Sequence, residues 1–527
     1  MPVLVGSIRD PLSAHLCNLL SSGGDTRVQF DPRTGLSQYG CYSRPLPDAI
    51  TLASSTASSI SPAGFAAAEA ALEELRTLSR ALGFRWAAEV LAERMRGELK
   101  SLLNLSESSV ELVLSASGTD SQLHAYVLAS LLFGAPATSV LACSDETGSG
   151  APFAASGRHF NSVCPRGTRV TRGTTLEGLE DSPWCIQVPF RDEDGQVRSM
   201  REIDAYVAAA VAELAGRGRG TLVHLMDHSK LGSRGPSLKC VRTLKERWGD
   251  LVEIIVDACQ GRLSRERVSG YLEAGFWVVV TGSKFFAGPA FSGALLVPGS
   301  VSNRLARITT SSPRGLRSYA WAGHWPVRWK GLRDGLSGVV NVGAHLRWAA
   351  AIEEMRRYFA VPVEFRKTVL QTFASGVPEL LADYDVLEPL PECRQPHSDW
   401  VDDGEMAIQT IFAFFVRKGD RLANPDECRE IYASLNRNLV SATNSHNPGP
   451  ACHIGQPVAI RTASAYGGLS DPAGALRIAA DARFVYEAWC PAEAASVSRL
   501  QGQMQRVATA LKRIALIANE ELQGVGL

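Results

Sequence analysis

Hydrophobic positions along the chain change their period several times, and each change predicts a different element. Over residues 65–103 apolar side chains recur at helical spacing, which predicts two helices meeting at Gly83. Residues 110–115 (VELVLS) form a short aliphatic run that ends in Ser117-Gly118-Thr119-Asp120, and a helical pattern occupies 121–133. Strand, glycine turn and helix together make the βα unit of a parallel sheet. The alternation continues with strands predicted at 139–143, 221–226, 251–257 and 276–281, and helices at 202–214 and 238–248. This pattern predicts an α/β fold: a large domain over residues 61–340 with a mostly parallel, doubly wound sheet. A polar stretch at about 161–199 reads as an insertion, and the Gly- and Ser-rich residues 1–60 as an arm. Beyond 340 the texture shifts to a smaller α+β domain over residues 341–527. It has a helix at 341–360, a strand at 406–416, a helix at 425–436, strands at 456–460 and 475–479, and two terminal helices.

Composition narrows the class without changing this outline. A chain of 527 residues, 45% of them hydrophobic, can bury a large core. Its 54 basic and 54 acidic residues balance, and no basic run stands out, so neither nucleic acid nor an anionic membrane is an expected partner. The apolar start Met1-Pro2-Val3-Leu4-Val5 is too short for a signal peptide. The longest apolar stretch, 126–143, is broken by Gly134-Ala135-Pro136, whereas a membrane span needs about 20 apolar residues in a row. The 11 cysteines include no CxxC pair, so a reduced, cytoplasmic protein without a metal site is expected.

Three features carry chemistry in order along the large domain. Ser117-Gly118-Thr119 stands at a helix start, where free backbone N–H groups and the helix dipole favour a phosphate, though a plain cap looks the same. Asp257 closes a strongly apolar strand, at the strand end where α/β sheets bind ligands; a helix N-cap is the simpler explanation of it alone. Lys284 follows Val278-Val279-Val280-Thr281-Gly282-Ser283 and precedes Phe285-Phe286. Apolar surroundings disfavour the charged amine and make it a nucleophile toward carbonyls, unless the side chain merely snorkels to the surface. An anion cradle, a carboxylate and an amine together ask for a ligand with a phosphate, a protonatable ring nitrogen and an aldehyde. Pyridoxal 5′-phosphate (PLP) has all three.

At these residues the chain resembles the fold-type I PLP-dependent enzymes, in the class V aminotransferase and cysteine desulfurase branch. VDACQ is similar to that branch's Asp-Ala-x-Gln motif, which implies Asp257 on the ring nitrogen and Gln260 on the ring hydroxyl. TGSKFFAGPAFSGALLV resembles its lysine motif, which implies a Schiff base on Lys284 with Thr281 and Ser283 near the phosphate. SGTDS resembles its phosphate turn and implicates Gly118 and Thr119; Thr147 and Ser229 fall on the cofactor's flanks. Gly331-Leu332-Arg333-Asp334-Gly335 and Ser337 resemble a stretch that reaches the partner subunit's phosphate in a homodimer. Leu476-Arg477-Ile478-Ala479 resembles the strand whose arginine clamps a substrate carboxylate, with Arg461 as a competing candidate. The branch's ring-stacking His or aromatic is absent from Asp145-Glu146-Thr147-Gly148, so Thr147, His159 or His228 is left to cover that face. The resemblance implies an enzyme of transferase or lyase type, working at Cα, Cβ or Cγ of an amino acid through an external aldimine, with specialised biosynthesis as the expected setting. An alternative is a cysteine desulfurase or C–S lyase with Cys452, in a Gly/Pro-rich loop, as sulfur acceptor. A non-catalytic binding protein on the same fold is the remote alternative.

Overall fold

The computed structural model describes residues 11–106, 109–390, 404–436, 450–461 and 471–522. Thirteen strands occur among these residues: β1 Ile50–Leu52, β2 Glu111–Ser115, β3 Thr138–Ala142, β4 Ile186–Val188, β5 Thr221–Met226, β6 Val252–Ala258 and β7 Trp277–Thr281, then β8 Gly293–Val297, β9 Leu387–Pro389, β10 Ile411–Lys418, β11 Arg421–Leu422, β12 Cys452–Ile460 and β13 Ala473–Ala479. Seven of them form the large sheet in the order β2-β8-β7-β6-β5-β3-β4. β8 runs antiparallel to both its neighbours, and the other pairings are parallel. The α/β architecture predicted from the alternation is the one observed. β3, β5, β6 and β7 are buried along nearly their whole length, which is why they read as unbroken Val-, Ile- and Leu-rich runs.

Two strands of the large sheet escaped the sequence. β8 was hidden in the lysine motif, because five apolar residues after a loop show no period of their own. β4 lies within the polar stretch taken as an insertion and pairs with β3 at the sheet edge.

A second sheet of six strands runs β1-β12-β13-β10-β11, with β9 on β10. Its first strand comes from the N-terminal arm: Ile50 and Leu52 pair in parallel with Cys452 and Ile454. The arm is therefore built into the fold, rather than appended to it. Its short helix Leu16–Leu20 packs against the helix Val342–Ala360, where buried Arg347 donates to the carbonyls of Leu20, Ser22 and Phe291. The predicted pair of helices at 65–103 is observed as Pro62–Leu82 and Phe84–Leu102, joined at Gly83 with φ +81°. No helix among the described residues is long and apolar enough to cross a membrane.

Candidate active site at the strand ends

Strand register gathers the candidate residues at one end of the large sheet. Met226 pairs with Asp257, Asp257 with Val279, Thr281 with Gly293, and Gly293 with Ser115. The C-terminal ends of β2, β6 and β7 thus meet the start of β8, and a cavity of about 130 Å³ opens there.

Lys284 stands in this cavity because β7 ends in a tight loop, in which Gly282 N–H donates to Ser292 and Gly288 N–H back to Gly282. Buried Phe285 and Phe286 flank it and pack edge-on against Tyr358. Among the described residues the Lys284 amine has no hydrogen-bond or salt-bridge partner. Burial pulls its pKa below the ordinary lysine value, against the opposing charge of Asp257. Buried Asp257 accepts from Gln122 Nε2 at 2.6 Å and from the Cys259 N–H at 3.1 Å.

Gln122 was not predicted. It lies one turn into the helix Gly118–Phe133, so the element that offers its first N–H groups to the cavity also orients the carboxylate. Ser117 caps that helix, accepting from the Asp120 N–H at 3.2 Å, and its hydroxyl donates to the Asp120 carboxylate. Burial pushes the Asp120 carboxyl up to about 7. Close packing fixes two glycines here. A Cβ on Gly118 would stand 2.5 Å from Cys259 Sγ, and one on Gly293 would stand 2.3 Å from the Ser117 carbonyl.

The far wall combines Thr147 and Gly148 with a surface absent from the sequence reading: Arg27, Tyr39, Thr56 and Ala57, all from the arm. Lys230 holds the Thr147 carbonyl at 3.1 Å, and burial lowers its amine to about 8.

Of the predicted residues, Gly118, Thr119, Thr147, Asp257, Thr281, Ser283 and Lys284 line the cavity. Thr281 spends its hydroxyl on the Cys259 carbonyl at 2.7 Å. Gln260 is buried behind the site, with its amide donating to the Ser55 carbonyl and accepting from Arg262. Ser229 donates to Glu146. Arg477 is buried one layer back, where its hydrogen-bond acceptors among the described residues are neutral: the Gln456 and Lys230 carbonyls and the Thr56 hydroxyl. Burial lowers it to about 10. Exposed Arg461 lines a separate cleft with Asp145, Arg191 and Tyr206. His228 sits between Asp227 and Arg234, and His159 against the Tyr319 hydroxyl; neither lines the cavity. The aromatic rings that do are Tyr39 and Phe291. Arg333 pairs with Glu89, and Ser337 is buried in its own turn.

Cys452 departs from the expectation of a loop thiol. It begins β12, paired with Ile50, and is fully buried 3.5 Å from Arg513 Nη1. Burial raises its pKa, which opposes thiolate formation. The loop setting on which the desulfurase alternative rested is replaced by a strand.

Fold and site together define an α/β protein of two sheets with a lysine-bearing ligand cavity at the parallel strand ends. No protein-family model matches the chain, and a search of curated proteins finds no match. Among solved structures it is similar to Oryza sativa TDC with PLP and tryptamine, at 16% identity and TM-score 0.49, over 90% of this chain and 84% of that one. It is also similar to the cysteine desulfurase CsdA of Escherichia coli, at 14% identity and TM-score 0.46, over 88% and 95%. Mouse CSAD in apo form gives 16% and 0.47, over 88% and 85%.

Proposed function

We propose that this chain is a PLP-dependent enzyme of transferase or lyase type that acts on an amino acid. The observation that carries this reading is the half-buried Lys284 amine, without a hydrogen-bond or salt-bridge partner among the described residues, in one cavity with Asp257 and the start of the helix Gly118–Phe133. The residues fit the cofactor. Lys284 would supply the amine that tethers its aldehyde, Asp257 the carboxylate to keep a ring nitrogen protonated, and the Ser117–Thr119 turn with Ser283 donors for its phosphate. When bound, the cofactor supplies an electron sink for charge that develops at the substrate's Cα.

The remaining work falls to the protein. Gln122 fixes the orientation of Asp257 through its 2.6 Å hydrogen bond. Lys284 would hold and move the proton at the substrate's Cα, a task for which its lowered pKa suits it. Arg477 is a desolvated guanidinium with no salt bridge to a carboxylate among the described residues, which supports it as the group that receives the substrate's carboxylate. Phe285 and Phe286 keep water from the amine on the side away from the cavity.

The test is reduction of the purified protein with borohydride after incubation with PLP, followed by peptide mapping. The expected result is a phosphopyridoxyl group on Lys284, with the visible absorbance of the wild type missing from Lys284→Ala. Wild-type protein that takes up no PLP sinks the proposal.

A further inference from the structure

The cavity wall supplied by the arm carries a cation. Arg27 lies in the 3-10 turn Thr26–Val28 and faces the cavity together with Ser117, Gly118, Thr119 and Lys284. Arg27 and Lys284 are the cationic side chains among the described residues that line it. The Arg27 guanidinium lies 5.1 Å over the Phe291 ring and 5.9 Å over Phe160. Asp25 accepts from Nε and Nη2, and the Tyr39 hydroxyl accepts from Nη1 at 3.2 Å. A guanidinium has five N–H groups in one plane. One on each terminal nitrogen therefore has no acceptor among the described residues.

Packing fixes where these donors stand. Phe291, the ring beneath Arg27, is two residues from Gly293, and Gly293 lies against the Ser117 carbonyl. Gly24, on the other side, approaches Phe291 so closely that a Cβ would stand 2.8 Å from its ring. The arm, Phe291 and the start of the helix Gly118–Phe133 form one packed unit. Arg27 and Asp120 interact electrostatically across it, so the guanidinium belongs to the helix-start end of the cavity.

Resting on the cofactor reading above, we infer that Arg27 anchors the cofactor's phosphate, brought by the arm to the cradle of Ser117, Gly118, Thr119 and Ser283. Phosphate gains from a helix start and from a guanidinium for separate reasons, the dipole with free N–H groups in one case and charge-assisted hydrogen bonds in the other. Arg27 supplies the second. Asp25 offsets part of its charge and holds its plane in place.

The test compares two aldehydes that differ only in the phosphate. Apoprotein is titrated with pyridoxal 5′-phosphate and with pyridoxal, and binding is read from the absorbance of the lysine adduct. Wild type is expected to prefer the phosphorylated form. In Arg27→Gln that preference falls about tenfold or more while pyridoxal affinity is kept, the loss expected for hydrogen bonds to a charged group. Asp25→Asn keeps the cap of the turn but removes the offsetting charge, so its preference rises; it decides the matter if Arg27→Gln does not fold. A preference unchanged in Arg27→Gln, or one not raised in Asp25→Asn, overturns the role of Arg27 and leaves the cofactor reading intact. Wild type that binds neither aldehyde overturns both.

Discussion

Replacing Gly118 with alanine sets two effects of opposite sign against each other at the centre of the site. Gly118 opens the helix Gly118–Phe133 and is not among the glycines with positive φ, so the backbone accepts alanine. On propensity and unfolded-state entropy alone the change would stabilise by ~0.5–1 kcal/mol. The new Cβ, however, would stand 2.5 Å from Cys259 Sγ and 3.2 Å from Thr281 Cγ2. Neither neighbour swings away easily, because both are buried and Thr281 is held by its hydrogen bond to the Cys259 carbonyl. Overpacking of this kind costs ~1–3 kcal/mol, so the steric effect wins and the net loss is about 1–2 kcal/mol. Urea unfolding of the apoprotein measures it as a fall in midpoint at unchanged slope. Removing the obstacle makes the argument sharper. Cys259→Ala alone is mildly destabilising, but Gly118→Ala added to it costs little, because only the 3.2 Å contact with Thr281 Cγ2 still opposes the helix gain. The double-mutant cycle should give a coupling of about 1–2 kcal/mol. Gly118→Ala as stable as wild type, or a coupling within ~0.5 kcal/mol of zero, would refute the packing argument.

Asp120 gives a prediction in pH. Burial raises its folded pKa from 3.8 to about 7, so the folded state holds a proton that the unfolded state has lost. Its contribution is fully present below about pH 4 and is lost as pH rises through 7, at up to ~1.4 kcal/mol per unit. Urea midpoints measured from pH 4 to 8 should therefore fall less steeply in Asp120→Asn than in wild type; parallel profiles would rule the buried proton out. Cys452→Ala should cost about 1–2 kcal/mol through the cavity left beside Ile50 and Arg513, with turnover unchanged. Lost turnover at unchanged stability would instead restore a chemical role for the thiol.

Legibility in this sequence follows the range of the interactions that place each residue. Asp257 and Lys284 were readable because each ends an apolar run, and a buried parallel strand announces both itself and its C-terminal end. Gln122 was readable in principle: it is four residues past Gly118, so helix phase brings it round to the same side. Gln260 misled because its environment is set from far away, by Ser55 of the arm, as well as by Arg262 two residues on. Cys452 misled for the same reason. Its Gly/Pro-rich flank reads as loop, and it becomes strand only because three residues of the arm, Ile50 to Leu52, pair with it across some four hundred positions. A three-residue strand has no period to detect, and a cap such as Asp25 before Thr26-Arg27 is indistinguishable from any surface turn. The arm thus explains three separate features: the wall opposite Lys284, the Ser55 contact of Gln260 and the buried Cys452. Thr56 binds Arg477 while Arg27 faces Gly118 and Thr119, so the arm touches an arginine of the second sheet and the helix start beside the large sheet at once. Strand ends name the chemistry of such a site, but what encloses it is decided by pairings across some four hundred positions.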